Sequence, residues 1–233
     1  MRLDRLFLKM FQVEPRIPVR LLLDVSSSMA AGSSATSPTK FTFAQKLAAC
    51  LCYVGLVRLD TITIQPFAAS LLDPFLCGGG RHRFQPAEEF LRRLQPQDKT
   101  DYLHVVRQFI GEYPQRGLVI LISDFLDDQD CFRPLQYLAD FGHELLFVQV
   151  WGDEDREPSG EGEMELVDSE TGAMLRIGLN EESRLQYISA FDDYCGNVRK
   201  LAQHNGGRYT GLPASTTLEE AVFGSLVRTQ GVL

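Results

Sequence analysis

The chain has 233 residues, of which 44% are hydrophobic and 23% are charged. This composition is that of an ordinary globular protein, and the length is sufficient to bury a hydrophobic core without disulfides or a structural metal. The net charge of -8 argues against non-specific binding to nucleic acid, whose phosphates require a basic surface. We therefore expect protein or cation partners and no nucleic-acid partner.

The amino terminus, "MRLDRLFLKMF", interrupts its apolar residues with charged ones and lacks the continuous apolar stretch of a signal peptide. Its apolar residues follow helical spacing. That spacing leaves two interpretations, a helix packed on the domain's own core, which we favour, or a helix on a membrane surface. No run of ~18 apolar residues follows, so we expect no membrane span and a soluble, cytoplasmic protein.

Apolar runs that end in polar residues predict strands over residues 19–24, 118–124 and 145–151, and a more alternating strand, nearer the sheet edge, over 61–67. Helical patterns cover residues 41–58, 101–113, 132–141, 181–204 and 218–228. Because parallel neighbours require right-handed crossovers, this alternation predicts an α/β fold: a doubly wound, mostly parallel sheet with helices on both faces.

Residues 155–180 interrupt the alternation. A polar loop is followed by "MELVDSETGAMLRIGL", which predicts a β-hairpin that turns near Glu170 to Gly172. We interpret this segment as an insertion within a single domain that comprises residues 1–233.

The five cysteines show no repeated CxxC spacing of the kind that binds zinc. Cys50 and Cys52 lie in the apolar stretch "LAACLCYVGLV". We favour small core residues over a redox pair for these two.

The first predicted strand ends in "LLLDVSSSM", where Asp24 is followed by Ser26 and Ser28. In doubly wound sheets, ligands bind beyond the carboxyl ends of the strands, where the strand order reverses. No histidine or lysine lies nearby in sequence to activate a serine as a nucleophile. One carboxylate and two hydroxyls do suit a hard divalent cation, which prefers oxygen ligands.

This stretch resembles the Asp-x-Ser-x-Ser motif that begins the metal-ion-dependent adhesion site (MIDAS) of von Willebrand factor A-like domains. The resemblance implies two further ligands, a threonine from a later loop and an aspartate after the fourth strand. The chain has Thr100 in "DKTDYL" and Asp124 in "LISDFLDD". Within that superfamily, "LLLDVSSSM", "SDFLD" and the late hairpin resemble the bacterial domain-of-unknown-function-58 (DUF58) family. This chain departs from that family at one point, because Lys99 stands in place of the usual glycine before the threonine.

Each of these residues also has a simpler interpretation. Thr100 could cap a helix that begins at Asp101, a role compatible with metal binding. Asp24 and Asp124 could be solvated loop carboxylates, but two acids that end neighbouring central strands would repel each other, and a cation would relieve the repulsion. A further acidic cluster does not follow the calcium-loop pattern, and we interpret it as a solvated loop: Asp127, Asp128 and Asp130.

The resemblance implies a protein–protein interaction module whose Mg²⁺ (or Mn²⁺) ion recruits an acidic residue of a partner, and it suggests a MoxR-type AAA+ ATPase as that partner. The implied metal ligands are Asp24, Ser26, Ser28, Thr100 and Asp124. Two alternatives stay open. One is a metal-assisted hydrolase of phosphate or ester bonds, which the motif loops disfavour because they contain no obvious general base. The other is an inert scaffold whose strand ends are only solvated.

Overall fold

The computed structural model describes residues 17–30, 38–126, 131–160, 162–167 and 174–228. The predicted amino-terminal helix and the acidic residues Asp127, Asp128 and Asp130 lie outside these ranges. The strands are β1 Val19–Asp24, β2 Ile62–Phe67, β3 Phe75–Cys77, β4 Leu118–Ser123, β5 Glu144–Trp151, β6 Gly162–Val167, β7 Met174–Leu179 and β8 Arg208–Pro213. The α-helices are α1 Lys40–Val57, α2 Phe84–Arg93, α3 Tyr102–Glu112, α4 Phe132–Asp140, α5 Asp153–Arg156 and α6 Glu181–His204, and a π-helical turn spans Glu220–Leu226.

Six of the described strands form one sheet in the order β3-β2-β1-β4-β5-β8, and all neighbours in it are parallel except β2 and β3. The predicted α/β fold is therefore confirmed. The chain passes from β1 to β2 on one side and later adds β4 on the other side, so the strand order reverses between β1 and β4. The carboxyl ends of these two strands, where Asp24 and Asp124 lie, form the edge at which such folds bind ligands.

Strand β2 lies nearer the sheet edge than β1 and β4, as predicted, but β3 pairs with it in antiparallel orientation and forms the edge itself. All six residues of β2 are buried. The alternation of "TITIQPF" therefore does not reflect one solvent-facing side.

A hydrophobic core lies on each face of the sheet. One core packs beneath α1, α2 and the carboxyl-terminal helical turn, and the other beneath α3, α4 and α6. Helix α1 is apolar over most of its surface, and its 18 residues have a mean hydropathy of 1.2, which by length and composition would suffice to cross a membrane. More than half of this helix is buried inside the fold, as expected of a helix packed on a sheet.

The hairpin strands β6 and β7 pair in antiparallel register and form a two-stranded sheet apart from the main one. The residues of the predicted turn lie outside the described ranges. Asn180 then caps α6: its side chain accepts a hydrogen bond from the Ser183 amide at 2.8 Å, and the Ser183 hydroxyl accepts one from the Asn180 amide at 2.9 Å. This reciprocal cap fixes where the hairpin ends and the long helix begins.

Candidate metal site at the carboxyl edge of the sheet

Asp24 ends β1 and is fully buried. Its Oδ1 accepts a hydrogen bond from the Ser26 amide at 2.8 Å, and its Oδ2 accepts one from the Ser123 hydroxyl at 2.5 Å. The first bond is local to the turn after β1, and the second crosses to the end of β4. Together they hold the carboxylate in one orientation at the switch point of the sheet.

Ser26 and Ser28 follow in a short 3-10 turn, and their hydroxyl oxygens lie 3.0 Å apart. Ser26 is buried and Ser28 is half-buried. Met29, on the same turn, is inserted into the core beneath α1 and anchors the turn. The sequence motif thus brings two hydroxyls together directly beyond the buried carboxylate.

The loop that carries Thr100 is tied to the serine turn by two backbone hydrogen bonds, from the Ser27 amide to the Asp98 carbonyl at 2.9 Å and from the Gln97 amide to the Val25 carbonyl at 2.7 Å. Thr100 itself is buried, with 6% of its surface exposed. The interpretation of Thr100 as a helix cap is wrong. The cap is Asp101, whose side chain accepts from the His104 amide at 2.9 Å, and the helix begins one residue later.

Asp124 follows β4, and both of its carboxylate oxygens have partners. Oδ1 accepts a hydrogen bond from the Leu126 amide at 3.1 Å, and Oδ2 lies 2.8 Å from the ammonium nitrogen of Lys40. Lys40 is the first residue of α1 and is 2% exposed, and its ammonium nitrogen also lies 3.1 Å from Oδ2 of Asp155 in α5. The structure therefore places a buried cation of the chain itself beside Asp124, the second acidic residue of the motif.

Burial, and then the negative charge of Asp124, raise the pKa of Asp24 to about 7, although hydrogen bonds from Ser123 and Ser26 oppose the shift. Burial disfavours the Lys40 ammonium, but Asp124 and Asp155 outweigh burial, so the pKa of Lys40 is raised and its charge is retained. The repulsion between the two strand-end acids predicted that a metal ion would relieve it. Lys40 supplies part of that relief for Asp124, so the electrostatic prediction of a cation rests mainly on Asp24.

Ser123 connects the two strand ends. Its single hydroxyl hydrogen is donated to Asp24, so the Tyr102 hydroxyl is the donor in the 2.7 Å bond between Tyr102 and Ser123. The Phe125 amide donates to the same Ser123 oxygen at 2.9 Å. Ser123 thus links Tyr102, the first residue of α3, to the carboxylate of Asp24 by two consecutive hydrogen bonds.

The residue after the motif aspartate is a glycine in many von Willebrand factor A-like domains, and in this chain it is Phe125. Phe125 has a left-handed φ of 58°, which glycine adopts readily and other residues rarely do. Its ring is fully buried, stacked with Tyr102 at a centroid distance of 6.3 Å and in contact with Phe147 at 5.5 Å. Aromatic packing therefore compensates for the backbone strain beside Asp124.

Sequence reasoning identified the five motif positions but missed the side chains that orient them: Lys40, Tyr102, Ser123 and Asp155. Ser123 directly precedes Asp124 and Tyr102 lies two residues after Thr100, so their proximity in sequence could have indicated them. Lys40 and Asp155 carry no local signal, because the contact between Lys40 and Asp124 spans 84 residues.

Carboxylate and hydroxyl oxygens are the ligands that Mg²⁺ and Mn²⁺ accept, so the donor set fits a hard cation. In the part of the chain that the structure describes, no group of three or more His, Cys, Asp or Glu side chains could hold a metal ion. A cation site at this edge would therefore need the hydroxyls of Ser26, Ser28 and Thr100 as ligands.

A family model described as "Protein of unknown function DUF58" matches residues 1–194. The chain belongs to the DUF58 family. An uncharacterized protein of Mycobacterium tuberculosis is 28% identical over 92 residues, which cover 40% of this chain and 29% of the relative. The chain thus matches less than a third of that relative's length.

Among solved structures, a von Willebrand factor type A protein from Catenulispora acidiphila matches with a TM-score of 0.54 at 14% identity, over 88% of this chain and 41% of that one. An aerotolerance-related membrane protein from Bacteroides fragilis gives a TM-score of 0.53 at 18% identity, over 91% and 99% of the two chains. The SpRpn10 VWA domain gives 0.51 at 11% identity, over 94% and 97%. At these identities the similarity shows the fold: this DUF58 chain has a von Willebrand factor A-like architecture.

Proposed function

We propose that this DUF58 domain is a metal-dependent protein–protein interaction module, in which Mg²⁺ or Mn²⁺ at the carboxyl edge of the sheet recruits an acidic residue of a partner protein. The observation that carries the proposal is the convergence of the Asp24 carboxylate with the hydroxyls of Ser26 and Ser28 at the switch point, beside Asp124. The fold supports it, because von Willebrand factor A-like domains often mediate protein interactions.

In this proposal the hydroxyls of Ser26, Ser28 and Thr100 bind the ion, and the two aspartates act on it largely through water. A cation surrounded by neutral hydroxyls retains more of its charge than one surrounded by carboxylates, and so attracts a carboxylate from outside. The protein's contribution is orientation: Ser123 and the Ser26 amide fix Asp24, and the core contact of Met29 holds the serine turn. The half-buried Ser28 marks the side from which a partner would approach.

The family resemblance suggests the class of partner. A MoxR-type AAA+ ATPase in the cytoplasm would supply the acidic residue, and its binding would require the divalent ion. Purified ATPase should bind the immobilised domain in Mg²⁺ and dissociate in a chelator.

The hydrolase alternative gains no support from the shifted groups next to the motif. The pKa of Lys40 is raised by its two carboxylate partners against the effect of burial, and burial raises the pKa of Tyr102 well above its ordinary value. Both groups therefore keep their protons near neutral pH and are unsuited to act as a general base. We accordingly propose a binding module rather than an enzyme.

Calorimetric titration of Mn²⁺ and Mg²⁺ into metal-stripped protein tests the ion site. We expect one-site binding by the wild type that is lost in Asp24→Ala and weakened in Ser28→Ala. Asp140→Ala, which removes an exposed carboxylate at the end of α4, is the matched control and should bind like the wild type. Circular dichroism of each variant verifies folding. Equal binding by the folded Asp24→Ala variant, or no binding by the wild type, contradicts the proposal.

Recruitment of a carboxylate has its own test. Water that exchanges at an open position of bound Mn²⁺ speeds proton relaxation, and a ligand that takes that position slows it. A glutamate-containing peptide should lower the relaxation rate of the Mn²⁺-loaded protein, and the same peptide with glutamine should not. The same response to both peptides would show that the ion does not select a carboxylate.

A further inference from the structure

We propose that Lys40 and Asp155 form an internal charge pair that sets the affinity of the ion site, with Lys40 weakening and Asp155 strengthening cation binding. The inference rests on the proposed function, since it concerns the affinity of that same site. Neither residue belongs to the Asp-x-Ser-x-Ser motif or to its later threonine and aspartate. Lys40 acts here as a positioning residue of Asp124, and Asp155 acts through Lys40.

The contacts of the ammonium group define the arrangement. Its nitrogen lies 2.8 Å from Oδ2 of Asp124 and 3.1 Å from Oδ2 of Asp155, and the Lys40 side chain is 3% exposed. One buried cation is therefore shared between two carboxylates, and only the Asp124 carboxylate belongs to the motif. An ion that draws Asp124 away from Lys40 leaves the ammonium paired with Asp155 rather than unpaired.

Asp155 is itself held in place. Its Oδ2 accepts a hydrogen bond from the Gly152 amide at 2.8 Å, and its backbone carbonyl accepts one from the Tyr187 hydroxyl at 2.8 Å. The neighbouring Arg156 forms a two-pronged ion pair with Asp192, with both nitrogen–oxygen distances 2.8 Å. Asp155 is thus fixed to α6 as well as to the end of β5, and it lies where the sequence predicted only a polar loop.

The formal charges around the ion site predict how each residue changes the affinity for a cation. At the site, Asp124 and Asp155 each contribute one negative charge and Lys40 contributes one positive charge. In a buried setting, a unit charge within several ångströms of a divalent ion changes its binding severalfold or more, because the effective dielectric is far below that of water. Removing the ammonium should tighten cation binding, and neutralising Asp155 should weaken it.

Three variants form a series that separates charge from structural damage. Lys40→Met makes the site more negative by one charge, Asp155→Asn makes it less negative by one, and the double variant restores the wild-type formal charge. By Mn²⁺ calorimetry we expect about tenfold tighter binding for Lys40→Met, about fivefold weaker binding for Asp155→Asn, and a double variant within about threefold of the wild type. A purely structural role for Lys40 would weaken binding in both variants that lack it.

The outcomes distinguish this inference from the proposed function. Absence of Mn²⁺ binding by the wild type overturns both. Binding by the wild type that is unchanged or weaker in Lys40→Met, with circular dichroism showing a folded variant, overturns the charge-pair inference alone. If Lys40→Met does not fold, Asp155→Asn decides, because its side chain is partly exposed and tolerates an isosteric change. Wild-type affinity in that variant overturns the inference.

Discussion

At the carboxyl edge of the sheet, the buried ammonium of Lys40 lies within 3.1 Å of two carboxylates. At the amino edge, the buried guanidinium of Arg20 packs over the Tyr113 ring at 5.0 Å, and its Nη1 atom has no hydrogen-bond partner among the described residues. One end of the sheet compensates buried charge with opposite charge, and the other end covers it with an aromatic ring. A buried charged residue near a strand end therefore indicates a binding site only when other charged side chains converge on it.

The largest expected effect comes from breaking the charge compensation at the carboxyl edge. In metal-free protein, Lys40→Met leaves the Asp124 carboxylate buried without its cation and should lower the free energy of unfolding by about 3–5 kcal/mol. Urea denaturation measures this loss. Lys46→Met, on the exposed side of the same helix, is the control and should change stability by less than about 0.5 kcal/mol. Equal losses in the two variants would show that the contacts of Lys40 contribute nothing.

The strained Phe125 provides the second test at this edge. Phe125→Ala should cost about 3–5 kcal/mol because a buried aromatic ring is lost. Phe125→Gly loses the same ring but removes the left-handed strain, so it should be about 1 kcal/mol more stable than the alanine variant. This order reverses the usual advantage of alanine over glycine, and urea denaturation of both variants measures it. A glycine variant less stable than the alanine variant would contradict a φ-dependent strain at this position.

The amino edge should respond in the opposite sense to loss of charge. Arg20→Met keeps the aliphatic stem and removes a buried guanidinium that has an unpaired nitrogen. Its stability should stay the same or rise by up to about 1 kcal/mol, since an uncompensated buried charge is costly. A loss comparable to that of Lys40→Met would remove the contrast between the two edges.

The smallest effect concerns His143, which lies at the amino edge between the rings of Phe109 and Phe141. Burial, and then the charges of Arg20 and Arg116, lower the pKa of His143 below its ordinary 6.5. The unfolded chain therefore takes up a proton that the folded chain resists, and His143 reduces stability as pH falls through 6.5. Between about pH 7.5 and 5.5 the wild type should lose up to about 1 kcal/mol more than His143→Phe, measured by urea denaturation at both pH values. Parallel losses in the two proteins would show that folding does not lower the pKa of His143.

The accuracy of sequence reasoning depended on how local each signal was. β1 and α6 were predicted with their observed bounds, because the apolar run before Asp24 and the long helical pattern are contained within their own segments. Helix α2 was missed because its buried face is small, with only Ala87 and Leu91 fully covered. Strand β8 was missed because it contains Gly211, where a Cβ would lie 2.6 Å from the Trp151 ring, and such close packing cannot be inferred from a glycine in sequence.

The same distinction applies to the candidate site. Asp24, Ser26 and Ser28 form a local motif, and the switch-point rule brings Asp124 to the same edge once the strand order is known. Lys40 could not be predicted, since nothing at the start of an apolar helix indicates an acidic partner 84 residues away. Charge compensation inside a fold is a tertiary property, and the sequence argument therefore assigned too much of it to an external ion.

The hydrogen bond between Ser123 and Asp24 joins residues 99 positions apart and has a consequence for the order of events on the ribosome. The central strand β1 and the apolar helix α1 are synthesised long before β4, which completes the sheet beside them. Until then α1 has only part of the surface on which it packs, and long-range strand pairing of this kind is slow and open to aggregation. On the nascent chain α1 therefore lacks part of its packing surface until β4 has emerged, and the candidate ion site can assemble only then.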